Sequence, residues 1–297
     1  MQNQSNRRQL ILKFISLLSI VRWYNVLIVA IAMYFSALFL LNDVREGISP
    51  ILFDPRLHLA VFSVGFLMMA GFIINAFYDF EKDIINRPME TIFGRIVSKS
   101  FCLNTYVLFI FLGLLLAFFV GWKVLLFNFI FSFGMWFYSH KLRKKPFSGE
   151  LSASLLTIAP FFSISLYYFN YNQMIFLYVG YIFVLSFTRE VIKKMISLKG
   201  DLIVGEKSLP ILLGIRKTKL IILGWMLLAV VCILALLPNI YDLPILWYFI
   251  FALLGIGSSI IVLRNSRTPV QFNVLNRIYK IILILAILSI PLVGKWW

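Results

Sequence analysis

The sequence predicts an all-α integral membrane protein of about nine transmembrane helices, each needing roughly 20 apolar residues to cross the hydrocarbon. Three observations support this. Hydrophobic residues make up 61% of the chain against 13% charged, and the mean hydropathy is +0.93, far outside the range of soluble globular domains. Apolar runs of spanning length recur from end to end. The basic residues alternate between the gaps in a way that assigns those gaps to two sides of a bilayer. We read the 297 residues as a single integral-membrane domain.

Taken in order, residues 9–20 read as an interfacial helix leading into the first span. Spans are placed near 23–41, 57–78, 102–122, 124–139, 151–168, 173–190, 219–237, 244–263 and 278–294. Between 102 and 139 the apolar run is broken only at Gly121-Trp122-Lys123. Two helices with a tight turn are expected there. One long helix is the alternative and would invert everything after it. With nine spans, 24 of the 28 Lys and Arg fall on the N-terminal side, leaving Arg45, Arg56, Lys123 and Lys295 on the other. By the positive-inside rule the N-terminus is then cytoplasmic and the C-terminus outside. The net charge of +16 reads as topology and contact with anionic lipid, with no need for nucleic acid. The start, Met1-Gln2-Asn3-Gln4, shows no cleavable signal pattern. Cys102 and Cys232 lie far apart within apolar runs and read as packing residues.

Chemistry is expected in two longer polar gaps, about 79–100 and about 190–218. They follow the second and sixth spans, so they share a side and can meet. In the first, Asn75, Asp79 and Asp83 are spaced four apart. On a helix, successive members drift by only about 40°, so all three share a face. Two carboxylates and an amide form an all-oxygen set suited to Mg²⁺, which completes its shell with phosphate oxygens. An acidic pair at a membrane helix end points to function unless it is simply solvated. Asn86-Arg87-Pro88 and Gly94-Arg95 follow, and Arg87 and Arg95 can offer forked donors to phosphate or merely anchor the cytoplasmic end.

The second gap holds Arg189, Glu190, Lys193, Lys194, Lys199, Asp201, Glu206 and Lys207. Its lysines can bind phosphate as point charges, or serve only topology. Tyr138-Ser139-His140-Lys141-Leu142-Arg143 ends the fourth span, where His140 reads as an interfacial residue. Arg22-Trp23-Tyr24-Asn25 opens the first span, with Asn25 polar at membrane depth.

Asn75-x-x-x-Asp79-x-x-x-Asp83 followed by Asn86-Arg87-Pro88 resembles the first signature of the UbiA superfamily of intramembrane prenyltransferases. Arg22-x-x-Asn25, Tyr138-Ser139-x-x-Leu142-Arg143, Arg189-Glu190, and Gly200-Asp201 with Lys207-Ser208-Leu209-Pro210 fall in that family's order. Arg189-Glu190-x-x-Lys193 and Gly94-Arg95-Ile96-Val97-Ser98 are most similar to the digeranylgeranylglyceryl phosphate synthase branch. The resemblance implies nine helices around a central cavity, capped by the cytoplasmic loops after helices 2 and 6. It implies Mg²⁺ held by Asn75, Asp79, Asp83 and Asp201, the residues expected to be catalytic. Substrate contacts are expected from Arg22, Asn25, Arg87, Tyr138, Arg189, Glu190, Lys193 and Lys194.

The implied partners are a prenyl diphosphate donor, of geranylgeranyl length, a lipid-like acceptor, here geranylgeranylglyceryl phosphate, and the surrounding membrane lipids. An aromatic acceptor of quinone biosynthesis, a weak or silent relative, and a cation-binding transporter are the rivals. The last is disfavoured because transporter sites lie near the midplane. One departure stands out. Where the family carries several acids, this chain has Lys194, Ile196 and Ser197 and keeps Asp201. A second Mg²⁺ is therefore in question, and Lys193, Lys194 or Glu190 is expected to compensate. Gly149-Glu150 likewise stands where Gly-Asn is common. Phe77, Tyr78, Tyr138 and Phe187 are the aromatic faces expected near a developing carbocation.

Overall fold

In the computed structural model, residues 15–41, 47–86, 98–168, 173–203 and 205–293 are described, with backbone alone at 81–86. Every regular element among them is helical. Residues 15–20 form a short helix, as expected at the entry to the first span. The long helices are α1 (Trp23–Phe35, extended by a π turn over Ser36–Leu40), α2 (Pro55–Asn86), α3 (Lys99–Val120), α4 (Trp122–His140) and α5 (Ser148–Tyr168). They continue as α6 (Gln173–Ile196), the short α7 (Leu198–Ile203), α8 (Leu209–Ile240), α9 (Leu246–Asn265) and α10 (Pro269–Ser289).

Eight of these segments are long and apolar enough to cross a membrane. The remaining long helix, the 19-residue α4, occupies the place of the expected fourth span. It falls outside the eight because Lys123, Asn128, His140 and its Trp and Tyr residues dilute its apolar content. The break between α3 and α4 falls at Gly121, so two helices form rather than one.

Several helices overrun their apolar runs, and each overrun has a local cause. α2 continues through Asp79 to Asn86, which places the acidic motif on a helix. α10 starts at Pro269, nine residues before the predicted span, because Thr268 and Gln271 form a reciprocal capping box and proline suits the first turn. α8 starts at Leu209 behind Pro210 and is interrupted at Gly214. Its first turn therefore belongs to the polar end and not to the span.

Packing closes α1, α2, α4, α5, α6 and α10 into a ring, with α10 returning to α1. α3, α8 and α9 lie outside that ring, against α2, α6 and α10 respectively or against one another. One apolar core joins α6, α8, α9 and α10. A second joins α1, α2, α4 and α5, with Ala117 and Val120 of α3. The short α7, which follows the sixth span, packs against α2.

Because lipid is as apolar as leucine, burial alone cannot hold membrane helices together, and small residues and polar contacts must contribute. Here a buried thread does so. The Ser63 hydroxyl donates to the Gly113 carbonyl at 2.7 Å. Asn128 Nδ2 donates to Ser63 at 2.8 Å, and Ser163 donates to Asn128 Oδ1 at 2.9 Å. Four helices are thus tied at one depth. Gly113 permits the approach, since a Cβ there would lie 2.7 Å from Leu67 and 3.1 Å from the Ser63 carbonyl.

Replacing Asn128 with Leu strands the buried Ser163 hydroxyl and removes the donor to Ser63. The variant is expected to lose about 1–2 kcal/mol of stability, read as a lowered unfolding midpoint in detergent, while Asn128→Gln retains part of it.

Candidate active site

The expected residues converge at one end of the ring. Asn75 and Asp79 project from successive turns of α2, and Asp79 is only 8% exposed. Their oxygens meet at one nitrogen. Arg143 Nη1 donates to Asn75 Oδ1 at 3.2 Å and forms an ion pair with Asp79 Oδ1. Arg143 Nη2 lies 4.0 Å from Glu206 Oε1.

The guanidinium is brought there by a short 3-10 turn, Leu142–Lys144, that follows α4. The turn is pressed tightly under the start of α5. A Cβ at Gly149 would lie 2.9 Å from the Arg143 carbonyl and 3.1 Å from that of Leu142, so this position must be glycine. Burial pushes the Arg143 guanidinium below its ordinary value, and the neighbouring Glu206 and Asp201 oppose that shift. An arginine starts so high that it stays charged.

The second acidic element joins the same cluster. Lys194, near the end of α6, has its ammonium 3.6 Å from Glu206 Oε2 and 4.0 Å from Asp201 Oδ2, and donates to the Arg143 carbonyl at 3.3 Å. Ser197 Oγ donates to Asp201 Oδ2 at 3.3 Å. Asp201, Glu206 and Arg143 are buried along with Asp79. Three acids against two bases leave the described cluster with a net negative charge.

Lys193 binds both Glu190 oxygens at 2.8 Å, and its side chain stays 43% accessible. Tyr138 is half-buried. Arg22 caps α1 from a left-handed backbone conformation and lies over the Phe72 ring at 5.5 Å. Asn25 sits half-buried in the first turn of α1. Arg189 Nε donates to Asn276 Oδ1 of α10 at 3.0 Å, leaving its two terminal nitrogens for other acceptors.

The Asp83 and Asn86 side chains, and Arg87 and Arg95, lie outside what is described. Among the described residues no three His, Cys, Asp or Glu side chains converge as a metal cluster. Asn75 and Asp79 nonetheless fit a hard cation, because their oxygens already meet at a cationic nitrogen. Asp201, expected as a further ligand, faces an ammonium instead. Phe187 is not a cavity face: it is fully buried and stacks on Trp225 at 4.0 Å. His140 is exposed, as expected, with Nδ1 3.1 Å from the Tyr78 hydroxyl and its ring stacked on Trp136.

Three residues were not singled out in the sequence. Arg143 stood in a quoted motif but looked topogenic. Glu206 and Asn276 give no sequence signal that separates a buried partner from a solvated one.

A ring of membrane helices, oily within and lined at one mouth by carboxylates, an amide and basic groups, suits a substrate with an anionic head and a hydrocarbon tail. The model of the UbiA prenyltransferase family matches residues 45–274, and the chain belongs to that family: it is a multi-pass membrane prenyltransferase. It is 30% identical over 285 residues to the digeranylgeranylglyceryl phosphate synthase of Methanosarcina mazei, covering 92% of this chain and 96% of that one. It is 27% identical over 214 residues to that of Korarchaeum cryptofilum, covering 72% and 75%. Among solved structures, a digeranylgeranylglyceryl phosphate synthase superposes with a TM-score of 0.66 at 22% identity over 94% of this chain and 99% of that one. A UbiA homologue from Archaeoglobus fulgidus bound to dimethylallyl diphosphate and Mg²⁺ superposes at 0.68 with 15% identity, over 93% and 99%. These structures share the fold.

Removing the central guanidinium leaves Asp79 and Glu206 facing each other without it. Arg143→Ala is expected to cost about 3–5 kcal/mol of stability. Arg143→Met combined with Asp79→Leu recovers most of that loss, measured by chemical unfolding in detergent.

Proposed function

We propose that this prenyltransferase moves a geranylgeranyl group from its diphosphate to the hydroxyl of geranylgeranylglyceryl phosphate, in ether-lipid synthesis. The observation that carries the reading is the convergence of the Asn75 and Asp79 oxygens on one cation at one end of the helix ring. The names of the relatives support the acceptor, and Mg²⁺ with a prenyl diphosphate in the Archaeoglobus structure supports the donor and the metal.

In the reaction the allylic C–O bond breaks and its electron pair leaves with the diphosphate. The acceptor hydroxyl oxygen bonds to the freed carbon, and the hydroxyl proton passes to the departing diphosphate. Mg²⁺, held by Asn75, Asp79 and Asp83, would neutralise charge that develops on the leaving group. The chain's own residues do the rest. Arg143 and Lys194 place fixed positive charge beside the same head group, where a preorganised charge costs no reorganisation during reaction. Tyr138 is the aromatic residue expected to stabilise the carbocation, by about 0.5–2 kcal/mol. The apolar walls keep water from capturing that cation. Arg22 with Asn25 beside it, Arg189 and Lys193, together with Arg87 of the first motif, are the groups for the acceptor phosphate. Glu190 holds Lys193 in place through both its oxygens. The basic asymmetry of the chain supports a cytoplasmic site.

The purified protein, given geranylgeranyl diphosphate with geranylgeranylglyceryl phosphate or with aromatic acceptors, is expected to yield the doubly prenylated glycerol phosphate, identified by mass spectrometry, only when Mg²⁺ is present. Product from the aromatic acceptors alone overturns the acceptor assignment. Asp79→Asn is expected to fall at least about a thousandfold in rate, as losses of a central transition-state charge contact do, while remaining folded. Full activity in that variant removes Asp79 from the metal.

A further inference from the structure

We infer that Lys194 is a built-in cation for Asp201 and Glu206, so that this acid pair recruits no divalent ion and the enzyme works with metal at the α2 face alone. The inference rests on the Mg²⁺-dependent reading above. Lys194 Nζ lies 4.0 Å from Asp201 Oδ2 and 3.6 Å from Glu206 Oε2. It is anchored by a third acceptor, the Arg143 carbonyl, at 3.3 Å. Its side chain is 12% accessible, against 0% for Asp201 and 6% for Glu206. The ammonium is therefore part of a closed cluster and not a surface lysine swinging past two acids.

A divalent ion shared by Asp201 and Glu206 would need their oxygens at about 2.0–2.1 Å. That brings it against the Lys194 ammonium, 3.6 and 4.0 Å from the two acids, and like charges at such range in a buried site repel strongly. The local sequence offers no substitute ligand. Between Lys194 and Ile203, Asp201 is the only acid. Buried carboxylates need compensating charge, and Lys194 supplies it permanently.

The neighbouring Lys193 does not share this role. Successive helix residues point about 100° apart, and Lys193 is committed to Glu190 at 2.8 Å on both oxygens. The α2 face differs in a decisive way. Its cation, Arg143, is a fork with a second partner in Glu206 at 4.0 Å. Arg143 can yield Asn75 and Asp79 to a metal and stay paired. Lys194 has a single nitrogen, which serves Asp201 and Glu206 together.

The test counts ions. The full chain in detergent, saturated with geranylgeranyl thiodiphosphate as an unreactive donor, is titrated with Mn²⁺ and free ion is read by electron paramagnetic resonance. A single bound Mn²⁺ is expected for the wild type and for Lys194→Arg, and a second for Lys194→Ala. In turnover assays with Mg²⁺, Lys194→Ala is expected to need a Mg²⁺ concentration about tenfold higher for half-maximal rate, as buried carboxylates gain a weak new site. Two ions in the wild type, or a single ion in Lys194→Ala, overturns the assignment. If Lys194→Ala does not fold, the counts for the wild type and Lys194→Arg decide. Zero bound ions would instead defeat the metal-dependent reading on which this rests.

Discussion

Charge brought under a membrane surface must be paired, and the Arg143 guanidinium is where this protein pairs it. One nitrogen satisfies Asn75 and Asp79 on α2, while its sister faces Glu206 beyond α7. The same residue's carbonyl receives Lys194 from α6. A single short turn after α4 thus joins the two acidic elements, which are more than a hundred residues apart in the chain. Without that junction the acids would repel, and the mouth of the ring would not hold its shape. The geometry also carries the chemistry, because oxygens gathered around a guanidinium nitrogen are already placed around a point of positive charge.

The scaffold around this junction divides the work between two solvents. Below the mouth, helix contacts rely on close approach and buried hydrogen bonds, as in the Ser63–Asn128–Ser163 thread. Aromatic and aliphatic side chains face lipid in number, Phe111, Phe118 and Leu254 among them. At the mouth, helices overrun their apolar lengths so that polar side chains stand on rigid backbone and not on loops. α2 carries its motif one further turn, and α6 runs past Glu190 to Ile196. The ring thus offers an apolar surface and, at one end, a charged one.

Much of the fold was legible because its causes are local. Apolar length gives spans, the interruption at Gly121 gives two helices, and four-residue spacing gives a shared face for Asn75 and Asp79. The pairing of the two polar segments was expected from counting spans, and among the described residues the short α7 packs against α2. The departures came from residues whose role depends on distant partners. Arg143 is one of several cations after α4, and only Gly149 pressing on its backbone selects it over Lys144 and Lys145, which stay exposed. Phe187 reads as a cavity aromatic until Trp225 is seen stacked on it. Lys193 and Lys194 are adjacent in the sequence, and the turn of the helix gives one to Glu190 and the other to Asp201 and Glu206.

The central claim is that the Asn75 and Asp79 oxygens hold a metal against the donor's diphosphate. Phosphorus-31 resonance of bound geranylgeranyl thiodiphosphate in the presence of Mn²⁺ tests it most directly, since a paramagnetic ion broadens only nuclei close to it. The account predicts that both phosphorus signals broaden in the wild-type protein and sharpen again when Asp79 is replaced by Asn with the donor analogue still bound. Equal broadening in the two proteins would contradict it.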